Sequence, residues 1–119
     1  MDPGPRIAVI ESDASIRELA LRWLGDAGHR VSGAPRPEPL EAGVALVVAD
    51  LAQPRHAAAL AQLRESTRPT RLVLVSARFR RADTLSAALA HQLGVAAVLA
   101  KPYTGEELLA AVSAALAGR

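Results

Sequence analysis

Five polar residues stand just past apolar runs in this chain. Glu11 and Ser12 follow IAVI (7–10), Asp50 follows VALVVA (44–49), Ser76 follows RLVLV (71–75), and Lys101 follows VAAVLA (95–100). Together they supply two carboxylates, two hydroxyls and an ammonium. If the runs are neighbouring parallel strands, these groups converge on one edge of a sheet, where open parallel sheets bind ligands. Two carboxylates about 4 Å apart repel by roughly 4 kcal/mol at an effective dielectric of 20. A divalent cation or a lysine relieves that repulsion. Lys101 is the only lysine beside thirteen arginines, and some position must hold it by chance alone. Its place after a strand-like run and before Pro102 makes it a candidate for the site.

The elements that would carry these residues follow from apolar spacing. Short apolar runs without alternation read as strands buried on both faces. Between them, SIRELALRWLGDAG (15–28) steps its apolar residues Ile16, Leu19, Ala20, Trp23, Leu24 and Ala27 by three and four, a helix pattern. Ser15 and Glu18 have the spacing of a capping box, and Gly28 is a stop signal. Asp13 reads as an N-terminal cap or first-turn anion. HRVSG (29–33) is a weaker strand. AAALAQLRE (57–65) and ADTLSAALAHQLG (82–94) read as helices, the latter with Leu85, Ala88, Leu89 and Gln92 on one face. TGEELLAAVSAALAG (104–118) reads as a last helix with a capping box at Thr104 and Glu107. Alternating strands and helices predict an α/β fold, a parallel sheet covered on both faces. The exception is APRPEPLEAG (34–43). Its Pro35, Pro37 and Pro39 remove donors and bias their predecessors away from helix, so the second helix is shortened or missing.

Composition sets the outer limits. With 119 residues, half of them hydrophobic, the chain fits one domain, 1–119, with a real core. A net charge of +2 is too small to argue for nucleic-acid binding. Without cysteine there is neither a disulfide framework nor a thiolate metal site. No apolar run approaches a membrane span, and the start MDPGPR lacks a signal-peptide pattern, so a cytoplasmic setting is the expectation. His29, His56 and His91 have no mutual spacing for a metal or a triad. Ser76 lacks the glycines of a nucleophile elbow, and no phosphate-cradling glycine loop is present.

The segments IAVIESDASIRELA, LVVADLAQP, LVLVSA and VLAKPY resemble the receiver domains of bacterial two-component response regulators, in the right order and over nearly the whole chain. The spacing from Asp50 to Pro54 and the Lys101–Pro102 pair carry most of the likeness. The resemblance implies a flavodoxin-like, five-stranded parallel sheet in the order 2-1-3-4-5. It implies a signalling domain, not an enzyme beyond its own phosphoryl transfer: Asp50 accepts a phosphoryl group from a histidine kinase or phosphotransfer protein, with Mg²⁺. It makes Glu11 and Ser12 the acidic pair, the Ala52 carbonyl a metal ligand, Ser76 the switch hydroxyl, and Lys101 the lysine of the site, with a cis bond to Pro102. A compact ammonium on a long stem suits a crowded phosphoryl site better than a planar guanidinium. The face formed by the fourth helix, fifth strand and fifth helix of such domains is where a second copy or an effector would dock, here including Tyr103 and Phe79.

Departures from the family pattern matter equally. Ser12 stands where an Asp usually binds the metal, so the magnesium site is weak or lost. Val98 occupies the position of the aromatic switch and cannot rotate in and out as Tyr or Phe would. The loop ARFRRAD (77–83) is longer than usual. Its Arg78, Arg80 and Arg81 form either a docking patch or a solvated loop, and Phe79 either tucks into the core edge or marks a contact surface. Two main functions therefore remain: a phosphorylation-driven switch, or a pseudo-receiver acting as a protein-interaction module without phosphoryl chemistry. A third is an enzyme binding a small phosphate-bearing ligand at the same edge.

Overall fold

The computed structural model describes residues 5–68 and 70–117. Five parallel strands form one sheet in the order β2-β1-β3-β4-β5. In chain order the elements are β1 (Arg6–Ile10), α1 (Ala14–Asp26), β2 (Arg30–Ala34), β3 (Val44–Asp50), α2 (Ala57–Thr67), β4 (Arg71–Ser76), a 3₁₀ turn (Arg81–Asp83), α3 (Ala87–Leu93), β5 (Ala97–Ala100) and α4 (Gly105–Ala117).

Each strand sends alternate side chains to opposite faces, and both faces are apolar, as a doubly covered parallel sheet requires. On one side Ile7, Val9, Leu46, Val48, Val73 and Leu99 pack beneath α1 and α4, through Ala20, Leu24, Leu108 and Val112. On the other, Ala8, Ile10, Val47, Leu74 and Val98 meet Leu60, Leu63, Leu89 and Phe79.

Among the described residues no helix runs between β2 and β3. The proline segment crosses the sheet as irregular chain, and Leu40 packs against the second core where a helix would otherwise lie.

The Asp13 cap read from the sequence forms, the Ser15–Glu18 capping box does not, and α3 starts later than expected. α1 is capped by Asp13, whose Oδ1 accepts from the Ile16 amide at 2.9 Å. Ser15 and Glu18 are exposed and form no capping box at this helix start. A carboxylate one position before the helix reaches the free amide directly, so the Ser15 hydroxyl falls inside the first turn. The helix read from residue 82 begins only at Ala87, capped by Ser86. Residues 84 and 85 are held instead by β5: the Leu85 amide donates to the Val98 carbonyl at 2.9 Å, and the Thr84 Oγ1 accepts from the Ala100 amide at 3.0 Å. Leu85 consequently takes φ 63° and is exposed, and α3 faces inward through Leu89 and Ala90 while Ala88 and Gln92 are exposed. The reciprocal Thr104–Glu107 cap at the start of α4 forms as its spacing predicts.

Candidate functional site

Sheet register brings the strand-end residues level. Ile10 pairs with Ala49, so Glu11 and Asp50 are the next residues on adjacent strands, Asp50 pairs with Val75, and Ser76 pairs with Ala100, one before Lys101. At this edge the Lys101 Nζ donates to Glu11 Oε1 at 2.8 Å and to Asp50 Oδ1 at 3.1 Å. The Lys101–Pro102 bond is cis.

Glu11 is held on every side. Its Oε2 accepts from the Asp13 amide at 3.1 Å, its own amide donates to the Ala34 carbonyl at 3.0 Å, and its carbonyl accepts from the Arg17 Nη1 at 2.7 Å. Ser12 and Ala52 are exposed in the loops beside it. Ser76 is fully buried: its Oγ accepts from the Arg78 amide at 3.1 Å, and its carbonyl accepts from the Lys101 amide at 3.1 Å. Asp13 caps α1 through its Oδ1.

The charges at the edge are balanced against burial. Burial raises the Asp50 pKa above its ordinary value, and Lys101 offsets this only in part. Burial opposes the Lys101 ammonium, but the bonds to Glu11 and Asp50 outweigh it, so Lys101 is raised and stays charged. Tyr103, half-buried beside the same carboxylates, is pushed up to about 12, first by burial and then by the charges of Glu11 and Asp50.

Two cavities flank the ion triad. Asp50 opens onto a cleft of about 480 Å³ shared with Arg36, Pro37, Gln62 and Ser66, beside the proline segment. Lys101 borders an apolar hollow of about 160 Å³ with Ile16, Leu19, Trp23 and Tyr103. There Trp23 and Tyr103 meet edge to face, with centroids 6.3 Å apart.

The sequence missed three contacts around the site. Arg17 reaches the Glu11 carbonyl across one turn of α1. His56 caps α2 through its Nδ1, which accepts from the Ala59 amide at 3.2 Å. Arg81 donates to the Pro102 carbonyl at 2.9 Å and pairs with Glu107, tying the long loop to the start of α4. The lone signal for the last was an arginine near an acidic helix start. Phe79 is 4% exposed with Arg55 over its ring, 5.5 Å from the centroid, so it belongs to the core edge and not to a contact surface.

Lys101→Met would leave Glu11 and Asp50 facing each other without a cation. Removing one partner of a partly buried pair is expected to cost about 2 kcal/mol at neutral pH, read by urea unfolding. Burial already raises the Asp50 pKa, and losing Lys101, which lowers it, raises it further, so the loss is full above the variant's Asp50 pKa and shrinks as pH falls through it, because protonated Asp50 neither repels Glu11 nor needs Lys101. A pH-independent difference would contradict this account of the triad.

Solved structures share this architecture. The chain superposes on the non-phosphorylated HemR receiver domain from Leptospira biflexa with a TM-score of 0.72 at 20% identity, over 97% of this chain and 96% of that one. A response regulator receiver protein from Burkholderia phymatum gives 0.70 at 20% identity, covering 95% of each. An orphan response regulator of H. pylori gives 0.66 at 19% identity, over 98% and 99%. No protein-family model and no curated protein sequence matches this chain. The fold is the flavodoxin-like fold of response-regulator receiver domains.

Whether this edge suits magnesium is decided by its donors. Among the described residues no three His, Cys, Asp or Glu side chains cluster as a metal site. Two carboxylates are at hand, both bound by Lys101. Magnesium keeps several waters and needs as few as one or two carboxylates, so the set fits a weakly held ion.

Among the described residues no helix is long and apolar enough to cross a membrane.

Proposed function

We propose that this chain is a phosphoryl-accepting receiver domain in a two-component or phosphorelay pathway, with Asp50 as acceptor and a weakened Mg²⁺ site. The observation that carries the reading is the Lys101 ammonium bridging Glu11 and Asp50 at the carboxyl edge of the sheet. An Asp50 carboxylate oxygen attacks phosphorus in line. The P–N bond of a partner's phosphohistidine breaks, its electron pair stays on the imidazole nitrogen, and an acyl phosphate forms on Asp50. Lys101 neutralises charge that builds on the transferred group, and the Ser76 hydroxyl is the donor that would turn to a phosphoryl oxygen. Glu11, Asp50 and the Ala52 carbonyl would hold magnesium, which supplies charge neutralisation for phosphoryl transfer. The donor is a histidine kinase or phosphotransfer protein, and the setting is cytoplasmic. Downstream docking of an effector or a second copy falls to the face made by α3, β5 and α4 with Tyr103.

A second reading, a pseudo-receiver acting by contact alone, draws on three observations. Ser12 supplies no carboxylate, Val98 is fully buried, and Lys101 already satisfies both acids. Intact-mass measurement after incubation with phosphoramidate and Mg²⁺ separates the two. A phosphoryl adduct that hydroxylamine removes, and that Asp50→Asn lacks, is expected. An unmodified chain after prolonged incubation supports the contact-only reading.

A further inference from the structure

At the opposite end of β4 from Ser76, about 17 Å away at 3.3 Å per residue, lies a third cavity of about 400 Å³. Its rim carries three arginines: Arg64 and Arg68 from the end of α2, and Arg71 from the start of β4. Its floor includes Leu72, Val95 and Ala115. Among the described residues no acidic one lines it. We infer that this cavity is an anion-binding site for a small organic phosphate or phosphonate with an apolar body. The inference is independent of any phosphoryl chemistry at Asp50.

The competing explanation is that the arginines answer helix ends. α2, α3 and α4 all finish on this side of the sheet, and helix carboxyl ends attract cations. Arg71 does this: its Nη1 donates to the Ala115 carbonyl at 2.8 Å. Arg68 pairs with Glu65 at 3.0 Å, but both side chains are more than two-thirds exposed, so the pair is weak and readily exchanged. Arg64 differs. Among the described residues its guanidinium forms no ion pair or hydrogen bond, although its carbonyl accepts from the Thr67 hydroxyl. Its guanidinium lies over Gly94, where a Cβ would come within 3.1–3.2 Å of it. Gly94 has φ +72° and no side chain, so the guanidinium has room beside the cavity with its donors uncommitted. A fork of free N–H groups over an apolar floor matches a phosphonate or phosphate oxygen pair on an apolar stem.

Phenylphosphonate, which cannot donate a phosphoryl group, is the probe, with inorganic phosphate as comparison. Amide shifts in ¹⁵N-labelled chain are expected to saturate with phenylphosphonate and to centre on residues 64–72 and 94–96. Inorganic phosphate should bind more weakly, since it leaves the apolar floor unfilled. Arg64→Ala, at an exposed helical position, should keep the fold and weaken binding about tenfold, and Arg64→Lys should recover only part of it. Asp50→Asn should leave the affinity unchanged. The inference fails if the shifts do not saturate, if they centre on Asp50 and Lys101, if Arg64→Ala binds like the parent, or if phosphate binds as well as phenylphosphonate.

Discussion

On the proposed phosphoryl-accepting function, Ser12→Asp is expected to tighten Mg²⁺ binding at least tenfold and to speed phosphorylation of Asp50. The edge offers two carboxylates to a dication, Glu11 and Asp50, and Lys101 holds both. A unit charge pair 4 Å apart is worth about 4 kcal/mol at an effective dielectric of 20. A third carboxylate therefore adds several kcal/mol of attraction to the ion, offset by its repulsion from the first two and by the water it displaces. A net 1.4 kcal/mol suffices for tenfold. Ser12 is exposed, so a carboxylate there keeps its hydration when no ion is bound and does not unfold the loop. Asp13 is oriented as the α1 cap through its Oδ1, and it is the residue that would supply the effect if the parent chain already bound the ion tightly. Calorimetric titration reads the affinity, and mass gain from phosphoramidate reads the rate. Asp50→Asn should abolish labelling with either residue at position 12. Parent chain binding Mg²⁺ as tightly as Ser12→Asp would overturn the assignment of a weakened site.

A large loss of stability is expected from Phe79→Ala, at about 3 kcal/mol, the lower end for truncating a buried phenyl ring. Phe79 lies in an otherwise charged loop, yet it is 4% exposed and joins the core with Leu60, Leu63, Leu74 and Leu89. Its removal opens a cavity between α2 and the loop, and deprives Arg55 of the ring it covers. Arg55 is half exposed, so the latter contributes less than about 1 kcal/mol. The Phe79 amide also donates to the Ser76 carbonyl at 3.3 Å, so the loop that loosens is the one leaving the buried hydroxyl. Urea unfolding with an unchanged slope should show the shift in midpoint. A loss under 1 kcal/mol would place Phe79 outside the core and reopen it as a contact residue. Tyr103, half-buried against Trp23, is the aromatic that remains for docking.

The chemistry-bearing edge was legible in the sequence because a parallel sheet of buried strands imposes its own geometry. Runs such as VALVVA and VAAVLA have no polar face to offer solvent, so they stack side by side, and whatever follows each run emerges at the same end. Glu11, Asp50, Ser76 and Lys101 were found that way. Glu11 and Lys101 meet across 90 positions of chain. The prolines at 35, 37 and 39 likewise removed a helix by local sterics alone. Tertiary structure decided what competition between partners decides. Nothing local chooses between Asp13 and Ser15 as the α1 cap, or says that β5 claims the Thr84 hydroxyl and the Leu85 amide and so delays α3 to Ala87. Phe79 is buried because α2 and β4 leave a space for it, and Arg64 lies free over Gly94 because two helix ends meet there. Strand ends are fixed by apolar pattern, a property of each segment. Caps, loop anchors and cavities are fixed by which distant group arrives, and that is known only once the chain has folded.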